Sequence, residues 1–344
     1  MRNLQHFLGD FSMTSLKLKT LLASLALAAS GMAAAQNSLL NVSYDVAREF
    51  YKDYNAAFAA HYKKTAGQDV KIDQSHAGSS AQARAVNDGL EADVVTMNTT
   101  TDIDFLAGTG VVAKDWRSRF PQNAAPTSST MLFLTRNGNP KGIKDWDDLV
   151  KPGVQVIVVN PKTGGNGRMA YLAAWGSVRK KGGTDAQAAE FVAKLYKNVP
   201  VLAKGGRDAT SIFLQRNIGD VLITFESEVV SVDKEFGAGK VDAIHPSSSI
   251  VAENPVAVVE RTVAKKGTAE QAKAYLNFLY SDEGQEIAAQ HAIRPTNAAL
   301  LKKYSNVFKP ISLFRVEDYF GSFAEAQKVH FNDGGQFDKI YMVK

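Results

Sequence analysis

Three turns in the sequence combine glycine or serine with a change from a strand-like run to a helix-like run. They read QSHAGSSAQAR at 74–84, KTGGNGRMAYL at 162–172 and KGGRDATSIF at 204–213. The first backbone N–H groups of a helix have no intrahelical acceptor, and the helix dipole is positive there. Glycine adds close backbone approach, because it has no Cβ. One such turn is ordinary loop chemistry, with Ser79 or Ser80 as a normal N-cap. Three in one chain indicate an anion-binding site.

The kind of anion site follows from what the turns lack. The sequence has no GxxxxGK[ST] run, so a nucleotide-binding phosphate loop is not expected. An anion at these turns would be neutralised by aligned peptide dipoles and hydroxyl groups rather than by a lysine. Arg168 and Arg207 follow the second and third turns. They either support the loops or form ion pairs at the surface or between lobes.

Catalytic and metal sites have weaker support. His76 lies near Ser75 and Ser79, but no GxSxG elbow is present, so His76 is interpreted as a hydrogen-bonded structural residue rather than a general base. Glu226 and Glu228 are two residues apart, which is poor spacing for a shared acid–base task on one face. Histidine and acidic residues show no metal-ligand spacing. Neither an enzyme nor a metal or cofactor is predicted.

The elements that would position these turns alternate between strand and helix. Strands are predicted at 39–45, 68–75, 92–98, 129–140, 220–229 and 255–263, and helices at 46–67, 80–89, 145–153, 184–198, 208–219 and 268–292. This order predicts an α/β protein with mixed, mainly parallel sheets flanked by helices. In such sheets a ligand lies off the carboxyl ends of the strands, where strand-to-helix turns converge.

The N-terminal segment is typical of a secretory leader. Lys17 and Lys19 precede the short apolar run LLASLALAAS, and small residues end it, so we expect a signal peptide over residues 1–35 with cleavage after Ala35. Translation from Met13 would give the same leader, and a buried N-terminal helix is the alternative. The chain has no cysteine and a net charge of +5. We therefore expect neither a disulfide framework nor a lipid-anchored cysteine, and this charge does not indicate a nucleic-acid-binding face. Together with the leader, these features predict a soluble periplasmic protein.

Several longer stretches carry a family resemblance. The sequence resembles the periplasmic sulfate- and thiosulfate-binding proteins of ABC importers from about residue 38 to the end. The resemblance is carried by QSHAGSSAQA, NPKTGGNGRMAYLAAWG, GDVLITFESE and LFRVEDYFGSF, among others. It implies a two-lobed periplasmic binding protein of the second type, with the ligand in a cleft between the lobes. The lobes are expected at 36–130 with 255–344, which includes the C-terminal helices, and at 131–254.

The resemblance also implies a set of site residues. The anion would be contacted by Ser79 through its hydroxyl, by Gly206 through its backbone N–H, and by Thr163, Gly164, Gly165, Asn166 and Phe225. These loops would be supported by Asp45, His76, Arg168 and Arg207. Two positions depart from the family pattern: Gly164 stands where a serine is usual, and Phe225 where sulfate-type relatives often carry tryptophan. Each lost hydrogen bond to a charged group is worth about 1.5–3 kcal/mol, so thiosulfate is expected to bind at least as well as sulfate.

The function implied is capture of sulfate or thiosulfate by a monomer and delivery to the permease subunits of an ABC importer in the inner membrane. Nucleic acid is not an expected partner. Three alternatives remain at this stage. One is a binding protein for another tetrahedral oxyanion, molybdate or tungstate, and the second is a periplasmic ester hydrolase. The third is a sensory protein that presents its ligand to a membrane receptor.

Overall fold

The computed structural model describes residues 38–342, so the predicted leader, its cleavage site and the alternative start at Met13 lie outside the described residues. The strands are β1 Ser38–Tyr44, β2 Lys71–Ala77, β3 Val94–Thr96, β4 Thr127–Arg136, β5 Val156–Val159, β6 Leu202–Ala203, β7 Val221–Phe225, β8 Val241–Ile244, β9 Ser248–Asn254, β10 Val256–Val258, β11 Arg294–Pro295 and β12 Ser312–Phe314. The helices are α1 Arg48–Ala66, α2 Ser79–Asn87, α3 Thr100–Gly108, α4 Pro121–Ala124, α5 Gly165–Lys180, α6 Asp185–Lys197, α7 Gly206–Leu214, α8 Ser227–Phe236, α9 Glu260–Lys266, α10 Ala269–Phe278, α11 Asp282–Gln290, α12 Ala298–Lys303, α13 Val316–Phe320, α14 Phe323–Ala326 and α15 Gln336–Met342.

Two sheets organise these elements. The smaller sheet has the order β10-β3-β1-β2, and its pairs are parallel except for β10 with β3. The larger sheet has the order β12-β9-β4-β7-β5-β6, and β8 and β11 also pair with β4. Here β4 is antiparallel to β7, β8, β9 and β11. The predicted α/β class with mixed sheets is confirmed, while the parallel majority holds only in the smaller sheet.

Local sequence explains why these elements begin and end where they do. The four residues of β5 are all buried and apolar, as expected for a strand covered on both faces. Helix α1 ends at Gly67, which adopts the left-handed conformation with φ 70°. Helix α6 begins with a capping box, in which the Gln187 N–H donates to the Thr184 hydroxyl at 3.2 Å and the Thr184 N–H donates to the Gln187 side chain at 2.8 Å.

Each sheet and the helices packed on it form a lobe. We call the lobe of the smaller sheet lobe 1 and that of the larger sheet lobe 2. The chain passes from β9 in lobe 2 to β10 in lobe 1 through Pro255 alone. The C-terminal segment contacts both lobes: β12 pairs with β9 and α15 packs on α6, whereas α14 packs on α3. The lobe boundaries along the sequence remain a prediction. Strands β11 and β12, which lie in the segment 255–344 predicted for lobe 1, pair with β4 and β9 of lobe 2.

Four predicted elements differ from the structure. The helix predicted at 145–153 is a short 3-10 helix, Trp146–Val150. The strand predicted at 220–229 ends at Phe225, and α8 starts two residues later. The strand predicted at 255–263 ends at Val258 and is followed by α9. The helix predicted at 268–292 is two helices, because the Ser281 hydroxyl caps α11 by accepting from the Gly284 N–H at 3.1 Å. In the two strand cases a helix begins inside a run with strand-like composition, and periodicity alone does not mark its start.

Candidate anion-binding site

The three glycine and serine turns meet at the seam between the lobes. Gly78, Gly164 and Gly205 are the N-caps of α2, α5 and α7, which follow β2, β5 and β6. A methyl group at Gly78 would lie 3.1 Å from the carbonyl oxygen of Thr163 and 3.3 Å from that of Lys204. The turn of lobe 1 therefore touches both turns of lobe 2, and three helix N-termini converge on one region.

A fourth turn, between β3 and α3, completes the contact from lobe 1. A methyl group at Gly165 would lie 1.9 Å from Asn98 Oδ1 and 2.7 Å from Thr99 Cγ2. Asn98 is buried, and its Oδ1 has no hydrogen-bond partner among the residues that the structure describes. The lobes can approach this closely only because Gly165 has no side chain.

Asp45, at the end of β1, ties lobe 1 to the third turn. Its Oδ2 accepts a hydrogen bond from the Arg207 N–H at 3.0 Å, and its Oδ1 accepts one from the Val46 N–H at 3.0 Å. Burial raises the pKa of Asp45, and the two N–H donors oppose that rise. A methyl group at Gly205 would lie 2.6 Å from Asp45 Oδ2, so this contact also requires glycine.

The hydroxyl group of Ser79 is already engaged. It donates to Asp102 Oδ2 at 2.6 Å, and Thr99 Oγ1 donates to the same oxygen at 2.9 Å. Burial alone would raise the pKa of Asp102, but the Arg168 guanidinium and the donors Ser79 and Thr99 together hold it below its ordinary value. A hydroxyl has one proton to donate. In this arrangement the Ser79 hydroxyl proton is used within the protein, whereas its backbone N–H, at the first position of α2, has no intrahelical acceptor by position.

Arg168 forms an ion pair between the lobes. Its Nη2 lies 2.8 Å from Asp102 Oδ1, and the two side chains are only 6% and 5% exposed. The same guanidinium donates to Ser80, to Thr101 at 3.1 Å and to Gln327 at 2.9 Å. Of the two roles that the sequence left open for Arg168, the structure shows the inter-lobe pair.

Arg207 is paired within lobe 2. Its guanidinium contacts Glu235 and lies 3.5 Å from Glu228 Oε1. Burial raises the pKa of Glu228 to about 7, against the opposing effect of Arg207 and a hydrogen bond from Thr210. Glu226 points elsewhere and forms a two-bond pair with Arg294, at 2.7 and 2.9 Å. The two glutamates therefore do not share a site, in agreement with their spacing.

His76 is a structural residue in this fold. Its Nδ1 lies 3.1 Å from the Tyr44 carbonyl oxygen and its Nε2 lies 2.5 Å from Gln74 Oε1. Burial lowers the pKa of His76, which favours the neutral ring. The Nδ1 contact joins β2 to β1 and the Nε2 contact lies within β2, so both nitrogen atoms have structural partners, as the sequence interpretation expects.

The second turn presents mainly backbone groups. Thr163 Oγ1 lies 3.2 Å from each of the carbonyl oxygens of Asn160 and Lys204, and its single proton donates to one of them. Asn166 Nδ2 donates to Thr224 at 3.3 Å. The N–H groups of Gly165 and of Gly206, at the first positions of α5 and α7, have no intrahelical acceptor by position. Like the hydroxyl of Ser79, that of Thr163 has a partner within the protein, whereas these two peptide N–H groups have no intrahelical acceptor.

The two departures from the family pattern lie in packed surroundings. Phe225 ends β7, is 1% exposed, and its ring meets that of Tyr44 from lobe 1 edge-on at 6.3 Å between centroids. A methyl group at Gly164 would lie 2.8 Å from Val159 Cγ1. The space for a serine side chain at residue 164 is therefore filled by a valine.

Comparison with known proteins places this arrangement in a family. The sequence profile described as that of bacterial extracellular solute-binding proteins matches residues 39–294. The chain belongs to this family. Within residues 38–342, none of the helices is long and apolar enough to cross a membrane. In the same part of the chain, no group of three or more His, Cys, Asp or Glu side chains is arranged to hold a metal ion.

Relatives of this solute-binding protein include sulfate- and thiosulfate-binding proteins. It is 55% identical to the thiosulfate-binding protein of Pseudomonas aeruginosa over 92% of this chain and 95% of that protein. It is 51% identical to the sulfate-binding protein of Escherichia coli K12 over 91% and 96% of the two chains. The solved structure of the sulfate-binding protein SubI from Mycobacterium tuberculosis H37Rv superposes with a TM-score of 0.78 at 31% identity, covering 86% of this chain and 99% of that one. The resemblance and the two-lobed fold are confirmed.

Sequence reasoning missed the fourth turn of this solute-binding protein. Asn98, Thr99 and Asp102 lie in NTTTDID at 98–104, and Thr99 with Asp102 has the T-x-x-D spacing of a capping box. That signal marks the start of α3 correctly. It does not reveal that Thr99 donates to Asp102 instead of capping the backbone, or that Asp102 pairs with Arg168 of the other lobe.

Proposed function

We propose that this chain captures sulfate or thiosulfate between its two lobes and delivers the anion to an ABC-type membrane permease. The observation that carries the proposal is the convergence of helix N-termini from both lobes at glycine turns. The sulfate- and thiosulfate-binding names of the similar proteins support the same ligand class. With the predicted leader, the protein would act as a monomer in the periplasm, and it would bind rather than convert its ligand.

The proposed ligand contacts are mostly peptide N–H groups. The N–H groups of Ser79, Gly165 and Gly206 would donate to the anion, with Asn166 beside them. Arg168 and Arg207 would not contact the anion, because each is paired with carboxylates. A site made of donors suits a fully ionised dianion. Phosphate near neutral pH keeps a proton that needs an acceptor, so phosphate is expected to bind poorly.

We propose that the protein binds thiosulfate at least as tightly as sulfate. Gly164 and Phe225 supply no side-chain donor, and the proposal places the Phe225 ring, which packs against Tyr44, beside the anion as an aromatic wall. The terminal sulfur of thiosulfate is larger and softer than oxygen and needs fewer hydrogen bonds. Sulfate would leave one oxygen against this wall without a donor, at a cost of about 1.5–3 kcal/mol for each missing bond.

Calorimetric titration of the protein from Gln36 onward tests this function. Sulfate, thiosulfate, phosphate and molybdate would be compared at pH 7. We expect tight binding of both sulfur anions, thiosulfate at least as tight as sulfate, and no heat from phosphate. Tight phosphate binding would contradict the donor-only site. Binding of molybdate alone would assign another tetrahedral oxyanion to the same cleft.

A further inference from the structure

A π-helical turn in the C-terminal segment, Gln327–Phe331, lies beside the inter-lobe ion pair of Arg168 and Asp102. The Asn332 N–H closes the turn by donating to the Gln327 carbonyl oxygen at 2.9 Å. Such turns are rare overall, and many of them occur at functional sites. The Gln327 side chain, at the first position of the turn, accepts a hydrogen bond from Arg168 Nη1 at 2.9 Å. The turn therefore takes part in the contacts at the seam, although it is not one of the anion-binding turns.

The π-helical turn is attached to lobe 2, the lobe that carries Arg168. His330 Nδ1 lies 3.1 Å from the hydroxyl oxygen of Tyr171 on α5, and the rings of His330 and Trp175 meet edge-on at 4.7 Å between centroids. Helix α14, before the turn, packs on α3 of lobe 1, whereas α15, after the turn, packs on α6 of lobe 2. Because the turn itself is held by α5, we expect Gln327 to stay with Arg168 when the lobes separate.

The other partners of the Arg168 guanidinium belong to lobe 1. It donates to Ser80, Thr101 and Asp102, which lie on α2 and α3. Its Nε has no hydrogen-bond partner among residues 38–342, so the bonds of the two Nη atoms orient the group. Separation of the lobes would remove the three bonds to lobe 1 and leave the bond to Gln327.

The amide of Gln327 is itself held in one orientation. Its Nε2 donates to Asn332 Oδ1 at 3.2 Å, so its Oε1 faces the guanidinium. Ordering a long side chain at a contact costs free energy, and a side chain that is already ordered avoids that cost. Asp102, which receives the guanidinium, also accepts the Ser79 hydroxyl of the first anion-binding turn. Gln327 is thus linked to that turn through Arg168 and Asp102.

We infer that Gln327 is a positioning residue for anion capture. It holds the Arg168 guanidinium in place on lobe 2, so that Asp102 of lobe 1 pairs with it when the lobes close on the ligand. Gln327 acts through Arg168 and not by contact with the anion. The inference rests on the proposed function, since it assigns Gln327 a part in closure around sulfate or thiosulfate. Loss of the glutamine should weaken anion binding only while the Arg168–Asp102 pair is present.

Calorimetric titration with thiosulfate and with sulfate at pH 7 tests this role through Gln327→Met. Methionine has a similar length but offers only a weak acceptor, and the exposed Asn332 can bond to water instead. Gln336→Met is the matched control, because Gln336 lies in the same segment and is not among the described partners of Arg168. Gln327→Met is also made in a protein that carries Arg168→Met and Asp102→Asn. Thermal unfolding without ligand reports on the fold of every variant.

Gln327→Met alone should raise both dissociation constants about threefold to tenfold, and Gln336→Met should leave them within about twofold. In the protein without the ion pair, Gln327→Met should change them by less than about twofold. An equal rise with and without the pair overturns the inference, because Gln327 would then contribute through packing. Unchanged constants for Gln327→Met alone overturn it as well. If the unaltered protein binds neither sulfur anion, the proposed function fails and the inference with it, and this result is known before any variant is compared.

Discussion

Replacing Gly165 by alanine is expected to weaken anion binding without weakening the fold. The new methyl group would lie 1.9 Å from Asn98 Oδ1 and 2.7 Å from Thr99 Cγ2, and both atoms belong to the opposite lobe. The backbone N–H of residue 165 is retained. Alanine is also the better helix former at the start of α5, so lobe 2 itself is not destabilised.

The size of the effect follows from overpacking at this contact. Forcing a methyl group into a packed site costs about 1–3 kcal/mol. Here the clash exists only when the lobes are together, so the cost falls on the closed, ligand-bound form. The dissociation constant should therefore rise roughly 5–150-fold, while unfolding of the free protein changes little.

Calorimetry with thiosulfate measures this change, and thermal unfolding without ligand reports on the fold. Gly108→Ala is the matched control, because it also lies at a helix end and a methyl group there has no neighbour within 4 Å. Asn98→Ala in the Gly165→Ala protein removes the nearer of the two obstructing groups. It should restore part of the lost affinity, giving a favourable coupling between the two sites.

The reasoning would be refuted if Gly165→Ala bound the anion as tightly as the unaltered protein. The lobes of the ligand-bound form would then not approach to the distance seen in this structure. Equal losses for Gly165→Ala and Gly108→Ala would refute it differently, since the effect would not depend on the contact with Asn98.

Three further substitutions test the pairs around the site. Arg168→Met leaves the Asp102 carboxylate buried without its partner, at a cost of about 3–5 kcal/mol. It should therefore weaken anion binding more than the double variant Arg168→Met with Asp102→Asn does. Equal losses of affinity by calorimetry would contradict the pairing. Burial raises the pKa of Glu228 from 4.5 to about 7, so its contribution to stability is complete below pH 4.5 and is lost as the pH rises to about 7. Glu228→Gln should therefore flatten the fall of the urea midpoint across that interval, and an unchanged slope would count against the shift. Phe225→Trp restores an indole donor, so the dissociation constant for sulfate should fall relative to that for thiosulfate by about tenfold, corresponding to about 1.4 kcal/mol. An unchanged ratio of the two constants would show that residue 225 does not set the ligand preference.

Features that depend only on local physics could be predicted from the sequence. Alternating strand and helix patterns predicted the α/β class, and the glycine and serine turns predicted helix N-termini with free N–H groups. The spacing of Glu226 and Glu228 excluded a shared acid–base role, and the structure shows them paired with different arginines. Each of these conclusions needs only neighbouring residues and the known geometry of a helix or strand.

Only the folded chain shows which polar side chains near the turns already have partners within the protein. The Ser79 hydroxyl is engaged by Asp102, 23 residues away, and that of Thr163 by a carbonyl 41 residues away. Arg168 and Asp102 are 66 residues apart and belong to different lobes. Such pairings depend on how two lobes close around one seam, and local patterns carry no information about that distance. Because the lobes meet at residue 165, packing requires glycine there. Its backbone N–H is also one of the proposed donors to the anion.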